Sequence, residues 1–318
     1  MMKQHNKYDV LVVGELNVDL ILYNVNKPIE IGKEIFSEDM VLTLGSSSAI
    51  LANNLSILGA NVSFFGMLGN DVFAEIVLKS LKKSNVSTEN IIISDEDKTG
   101  ATIAMSYGND RAMVTFPGAM SVMKQEDISD EVLMQAKHLH VSSIFMQKSL
   151  LKGITTLFKR AKNLGLTTSL DTQWDPDEKW NISTKELLPY VDVFLPNKEE
   201  FLRITKKETI DKAYQSVKKY ANIVIVKDSV NGVHAFAPEK QFYQPAFIME
   251  NIVDAIGAGD SFNAGFLKEY INKNDLETCV LEGTIAGAIN TQGEGGTGAF
   301  KDIEKISLLR NELLNRQL

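Results

Sequence analysis

The sequence predicts an α/β fold: a doubly wound, mostly parallel sheet flanked by helices, with a small β-sheet lid projecting from it. Three observations predict it. Short apolar runs such as Val10-Leu11-Val12-Val13-Gly14 read as strands buried on both faces. From about residue 139 onward, strand-like runs alternate with helix-like segments, the pattern of a sheet built through crossover helices. Before that, in 17–44 and 98–117, strand patterns follow one another with no helix between them. Those two segments are expected to leave the main sheet and to join as a lid. The 318 residues suffice for a substantial core, and without an internal repeat or a low-complexity linker they read as one domain, 1–318.

In chain order, the run at 10–14 is the first strand. Asp19-Leu20-Ile21-Leu22-Tyr23 and the stretch 33–44 follow as strands of the projecting sheet. Residues 46–58 carry Ala, Ile and Leu in helix-like spacing, and 61–66 returns to a strand. Asp71 is placed to cap a helix that runs to Lys83, its carboxylate accepting the unpaired N–H groups of the first turn. A hairpin is expected from 99–107 and 111–116 around Gly108-Asn109-Asp110. Then come a strand at 139–142, a helix at 149–164, strands at 167–170 and 192–195, a helix at 197–204 and a strand at 223–226. A hairpin at 232–242, a helix opening at Gly257, a small-residue helix at 276–290 and an amphipathic helix at 303–314 complete the chain.

Composition narrows the function. With 41 acidic against 33 basic side chains the net charge is -8, which argues against a nucleic-acid surface. A lone Cys279 rules out an intramolecular disulfide framework, and with only four histidines a structural zinc site is not expected. His138 and His140 alternate along a strand and read as core or edge residues rather than ligands. The first apolar run is too short for a secretory signal, and nothing approaches the roughly 18 apolar residues of a membrane span. A cytoplasmic protein without a membrane partner is expected.

The chemistry concentrates in Asp254-Ala255-Ile256-Gly257-Ala258-Gly259-Asp260, a small-residue turn feeding an apolar helix. Small residues let the backbone approach a ligand, and the unpaired N–H groups of a helix start hold phosphate oxygens. A carboxylate at that mouth repels the anion unless it serves the reaction, as Asp260 would by taking a proton from an attacking hydroxyl. A plain helix start capped by Asp260 or Ser261 is the alternative. Two other nucleotide signatures fail. The third glycine of a dinucleotide fingerprint is replaced by Phe262, and Gly32-Lys33 runs into Glu34 instead of Ser or Thr. Further polar clusters fall at predicted strand ends, where doubly wound sheets bind ligands: Gly14-Glu15, Asp171-Thr172-Gln173, Asn197 with Glu200, and Lys227-Asp228.

The Asp254–Asp260 turn, Leu195-Pro196-Asn197-Lys198-Glu199-Glu200, and Gly45-Ser46-Ser47-Ser48-Ala49-Ile50 with Gly59-Ala60-Asn61 beyond it stand in a telling order. Through these motifs the chain resembles the ribokinase-like (PfkB) family of carbohydrate kinases over nearly its whole length. The resemblance implies an ATP-dependent kinase in which Asp260 is the catalytic base and the amides of Gly257, Ala258 and Gly259 form the anion hole. Asn197 and Glu200 would act on magnesium through water, Gly45 and Ser46 would line the sugar site, and Asp19 would be the lid carboxylate that binds sugar hydroxyls. ATP would lie near Lys227 to Gly232 and the small-residue stretch 286–298. By resemblance to potassium-dependent members, Asp254 is a candidate for a monovalent-cation site. Local readings stay open beside these: Asn197 as an N-cap, Glu200 as its capping-box partner, Asp19 as a strand-end carboxylate.

Departures from the family pattern bear on the acceptor. Ser46 stands where a second glycine is common, and Ser47 and Ile50 stand where many members carry Lys and Asn. Lys227-Asp228-Ser229 replaces a more usual Thr-Leu-Gly, with Gly232 kept. With five arginines in the chain and only Arg111 near the lid, a neutral sugar or a nucleoside is expected ahead of a phosphosugar. The identity of the hydroxyl is left open, as is a non-catalytic sugar or nucleotide sensor on the same fold. Exposed edges of a projecting sheet favour a homodimer.

Overall fold

Apolar and β-branched runs form the strands β1 (Tyr8–Val13), β2 (Asn17–Tyr23), β3 (Asp39–Leu44), β4 (Val62–Gly69), β5 (Ser87–Ser94), β6 (Gly100–Tyr107) and β7 (Asp110–Phe116). They continue as β8 (Ala136–Ser142), β9 (Thr167–Asp171), β10 (Val193–Phe194), β11 (Ile223–Lys227), β12 (Val233–Ala237) and β13 (Lys240–Gln244). The helices are α1 (Ser47–Ile57), α2 (Val72–Lys83), α3 (Asp130–Leu133), α4 (Lys148–Lys152), α5 (Ile154–Asn163) and α6 (Thr184–Leu187). After these come α7 (Lys198–Thr205), α8 (Ile210–Val217), α9 (Ala258–Ile271), α10 (Leu276–Asn290) and α11 (Ile303–Asn315). This computed structural model describes residues 6–107 and 110–316, so Gly108 and Asn109, expected at the hairpin turn, lie outside the described residues.

The main sheet has the order β13-β12-β11-β10-β9-β8-β1-β4-β5. Its pairs from β11 through β5 are parallel, and β12 and β13 add an antiparallel edge. A parallel sheet covered on both faces needs apolar side chains on both, and β1 shows how they divide. Leu11 and Val13 enter a core with Leu139, Val141 and Phe158, while Val10 and Val12 enter a second core with Leu51, Leu55, Phe262 and Phe266. The parallel strands point their carboxyl ends the same way, which brings Glu15, Gln173, Asn197 and Lys227 toward one side of the sheet.

The two excursions do join. Their strands form a four-stranded sheet, β3-β2-β6-β7, in which β2 and β6 run parallel and the outer pairs antiparallel. Period-two alternation gives this sheet two different faces. Asp19, Thr43, Thr102 and Thr115 form one cross-strand row, and Leu42, Leu20, Ile103 and Val114 form a row on the opposite face.

Several expected elements differ in extent. The strand expected over 33–44 begins only at Asp39, because β2 ends at Tyr23, which pairs with Asp39. The residues before it turn instead, with the Lys33 N–H returning to the Glu30 carbonyl at 3.1 Å. The helix expected over 149–164 is split at Gly153, whose missing side chain makes room for Gln125. The strand at 192–195 shortens to two residues. Four elements escaped the sequence reading: β5, a half-exposed edge strand, and the helices α3, α6 and α8.

His138 and His140 are core residues. Both are fully buried and share the Ser169 hydroxyl, at 2.7 Å from His138 Nε2 and 2.7 Å from His140 Nδ1. Burial lowers each imidazole from 6.5 to about 3, with His140 and Lys227 adding charge against protonation of His138 and His140 respectively. The folded chain keeps both rings neutral, while the unfolded chain takes up protons near pH 6.5. Their stabilising contribution is therefore complete above that pH and is lost as the pH falls from 6.5 toward 3. A His138→Gln, His140→Gln double variant should lose less stability than the parent between pH 6.5 and 4.5 in urea titrations, carboxylate effects common to both proteins cancelling.

Candidate active site

At the C-terminal end of β11 the chain meets the start of α9. Helix α9 opens at Gly257, whose φ of 76 lies in the left-handed region, and a Cβ there would meet Gly296 Cα at 2.5 Å and Ile50 Cγ2 at 3.1 Å. Only glycine fits both constraints. The Ala258 N–H, expected in the anion hole, returns to the Ala255 carbonyl at 3.3 Å, which leaves the amides of Gly257, Gly259 and Asp260 as the candidates among the first-turn donors. Above Gly259 a Cβ would meet one atom within 4 Å, the Lys227 ammonium at 3.8 Å. This is an open cradle of N–H groups faced by a cation, which is the geometry a phosphate group requires.

Asp260 sits inside that turn and is buried, at 6% exposure. Its carboxylate accepts from Gln173 Nε2 at 3.0 Å, and the Ser47 hydroxyl lies near enough to favour its ionised form. Burial holds it well above the usual carboxylate range, and the neighbouring Asp171 and Glu15 push in the same direction against Lys227. Asp171, fully buried at the end of β9, receives the Lys227 ammonium at 2.8 Å and the Asn263 amide of α9. Lys227 also donates to Asn263 Oδ1 at 3.1 Å. One ammonium thus ties β11, β9 and α9 together beside the cradle.

Asn197 and Glu200 make the capping box of α7. The Asn197 side chain accepts from the Glu200 N–H at 2.9 Å, and Glu200 accepts from the Asn197 N–H at 3.0 Å. The local reading holds, but a cap does not explain the burial. Glu200 is 3% exposed, and burial with the nearby Asp171 charge raises it to about 8, Lys227 opposing. An isolated parallel bridge between Asn197 and Lys227 joins this cap to the end of β11.

On the lid side, Asp19 is packed over Gly45, where any Cβ would collide with its carboxylate and with the Asn17 amide. Asn17 Nδ2 donates to Asp19 Oδ1 at 2.8 Å and to Thr102 Oγ1 at 3.1 Å. Burial lifts Asp19 to about 6, with the Asn17 and Thr102 contacts and the Arg111 charge opposing. Ser46 adopts φ 70, the left-handed backbone that explains a glycine preference here. Serine holds the conformation by capping α1: its hydroxyl donates to the Glu15 carbonyl at 2.5 Å and accepts from the Ala49 N–H at 3.0 Å.

Two of the expected site residues also have local structural roles. Gly232, at φ 86, lies against the Gln244 carbonyl and the Tyr243 ring, so its hairpin requires glycine without any ligand. Asp254 spends its two oxygens on backbone amides, Ile256 at 2.9 Å and Gly295 at 3.0 Å, tying the loop before α9 to the loop after α10. Among the described residues no group of three or more His, Cys, Asp and Glu is placed to cage a metal.

Sequence reading placed Glu15 and Gln173 at strand ends without a role and missed the asparagines altogether. Glu15 is buried, receives the Ser48 hydroxyl and the Ser48 N–H, and is raised to about 7 by burial. Asn54 donates to Ser261 at 2.8 Å and to the Gly296 carbonyl at 2.9 Å, and Ser261 passes the chain to Asn290, which donates to the Ile256 carbonyl at 2.6 Å. That buried network fixes the cradle loop against α1 and α10. The signal for Glu15 and Gln173 was their place after β1 and β9; for the asparagines no local signal exists, because each partner is distant in sequence.

With this geometry in hand, comparison with known proteins is informative. A profile of the pfkB family carbohydrate kinases matches residues 7–303. The chain is 25% identical to the 5-dehydro-2-deoxygluconokinase of Lacticaseibacillus casei, over 95% of each chain. Its fold superposes on Arabidopsis thaliana ribokinase, solved with ribose and ATP, at a TM-score of 0.81 and 23% identity over 95% of this chain and 98% of that one. It matches a ribokinase II from E. coli, solved with ATP and magnesium, at a TM-score of 0.81 and 18% identity, covering 96% and 99%.

Proposed function

The chain belongs to the pfkB family of carbohydrate kinases, and on that premise we propose that it transfers the γ-phosphoryl group of ATP to a hydroxyl of a small sugar or sugar-like acceptor, with Asp260 as the base. The observation that carries this reading is the buried Asp260 set in a helix start whose open side is faced by Lys227. A protein that only bound phosphate would gain nothing from a carboxylate there.

Phosphoryl transfer is chiefly a problem of position and charge. The amides of Gly257, Gly259 and Asp260, with Lys227, would hold the transferring group, and the cradle loop is fixed before the ligand arrives. Asp19 and the region of Gly45 and Ser46 would orient the acceptor so that one hydroxyl faces Asp260. The elevated affinity of Asp260 for a proton suits a base that must take one from an alcohol. Closure of the four-stranded lid would exclude water and limit wasteful hydrolysis. Asn197 and Glu200 fit a magnesium ion that keeps its waters, because a buried carboxylate raised by a neighbouring carboxylate is stabilised by a nearby cation. When bound, that ion would neutralise charge on the phosphate oxygens. Asp254, anchored between two loops, would carry any monovalent-cation effect on the cradle.

The acceptor side favours a neutral polyol: the row of Asp19, Thr43, Thr102 and Thr115 offers carboxylate and hydroxyl groups, with Arg111 the cation near Asp19. Ribose, 5-dehydro-2-deoxygluconate and a nucleoside form the first panel. Binding without ADP release for every member would favour the sensor. The lid also supports a homodimer, since Leu42, Ile103 and Val114 of its other face are 43%, 42% and 63% exposed in one cross-strand row. A cytoplasmic location is the accompanying expectation; among the described residues no helix is long and apolar enough to cross a membrane.

Two experiments check this reading. Asp260→Asn should remain folded and lose about 10²- to 10⁴-fold in kcat on whichever panel member is turned over. Glu200→Gln should instead raise the magnesium concentration needed for half-maximal rate, and near-parental values in both variants would remove the assignment. In sedimentation, the parent should run as a dimer and Leu42→Lys as a monomer; a monomeric parent at micromolar concentration would contradict the lid interface.

A further inference from the structure

Gln173 occupies a costly position. It lies two residues beyond β9 with φ 56, a left-handed conformation that glutamine rarely adopts. The loop around it is firmly built. Asp175 is buried and accepts from the N–H groups of Asp177, Lys179 and Trp180, at 3.0, 2.9 and 2.6 Å, and Trp180 packs edge-on against Trp174 at 5.0 Å. The loop aims the Gln173 amide between two carboxylates, 3.3 Å from Asp171 Oδ2 and 3.0 Å from Asp260 Oδ1. Asp171 Oδ2 accepts from the Lys227 ammonium, so the Gln173 atom turned toward it is the donor nitrogen rather than the amide oxygen.

We propose that Gln173 is the positioning residue of the catalytic base: its amide fixes the Asp260 carboxylate in one orientation and stabilises its ionised form, leaving the other oxygen for the acceptor hydroxyl. This rests on the reading of Asp260 as base. Several groups act on that carboxylate. Asp171 from β9 and Glu15 after β1 oppose its ionisation, while Lys227 from β11 and the nearby Ser47 hydroxyl of α1 favour it. Among these, Gln173 is the neutral donor that reaches both members of the Asp171–Asp260 pair. It can hold them near each other without neutralising either, as an amide keeps no exchangeable charge.

The test is the pH dependence of kcat for the full-length enzyme with ATP, magnesium and the best acceptor of the panel. Gln173→Met keeps the length and removes both donors. It should lower kcat at neutral pH by roughly 10- to 100-fold, as for the loss of a hydrogen bond to a charged group, with KM for ATP changed far less. The acid limb of the profile should move up by about one pH unit. Gln173→Glu, which puts a third carboxylate in the same space, should move it further. Because both tryptophans of the chain flank this segment, their fluorescence reports whether the loop is retained. If either folded variant keeps the parental acid limb, the positioning role is overturned. Should Asp260→Asn itself stay active, the reading of the base fails instead, and the two failures are distinct.

Discussion

The site depends on a charge imbalance buried at the carboxyl ends of the parallel strands. Asp171, Glu200 and Asp260 are all nearly or fully inaccessible, and Lys227 is the ammonium set among them. Burial and the neighbouring carboxylate charge both raise Glu200 and Asp260 above the usual carboxylate range, with Lys227 opposing. Such a cluster is costly in an empty site. It becomes favourable when cations arrive with an anionic ligand held on neutral amides, which is the situation of a nucleotide phosphate accompanied by magnesium.

The scaffold carries that cost through connections at right angles to the chain. Lys227 bonds to Asp171 and Asn263, so one side chain couples two strands and the helix that bears Asp260. The Asn54–Ser261–Asn290 series couples the same helix to α1 and α10. Residues that depart from the family pattern take part in this framework. Ile50 packs against Gly257 and Gly296 and so fills the seam between the two loops that meet at the cradle. Ser46 replaces backbone freedom with a cap, and the Ser47 hydroxyl lies near Asp260. On the proposed reading these substitutions would keep the phosphate side and change the polar groups offered to the acceptor.

Much of this was legible in the sequence where the determinant is local. The cap at Asp71, the capping box of Asn197 and Glu200, and the glycine turn before α9 all depend on residues within a few positions of one another. Strand–helix alternation gave the sheet for the same reason. What stayed hidden depends on distant partners. Residues 33–38 have the composition of a strand, yet no paired length of β2 remains for them. The half-exposed β5 has a weak alternation and is held by β4. Lys227 was legible as a polar residue after a strand; its pairing with Asp171, 56 residues away, was not. The need for glycine at 232 was likewise hidden, because Tyr243 and Gln244, which crowd it, lie on the next strand.

The most direct measurement is a crystal structure of the enzyme with ADP, aluminium fluoride and an acceptor that it turns over. The account predicts the metal fluoride on the amides of Gly257, Gly259 and Asp260, with Lys227 beside it. One acceptor hydroxyl should lie in line with it and within about 2.6–3.2 Å of an Asp260 carboxylate oxygen. A fluoride group bound away from the α9 start, or a reacting hydroxyl that faces another side chain while Asp260 keeps only its contacts to Gln173 and Ser47, would contradict it.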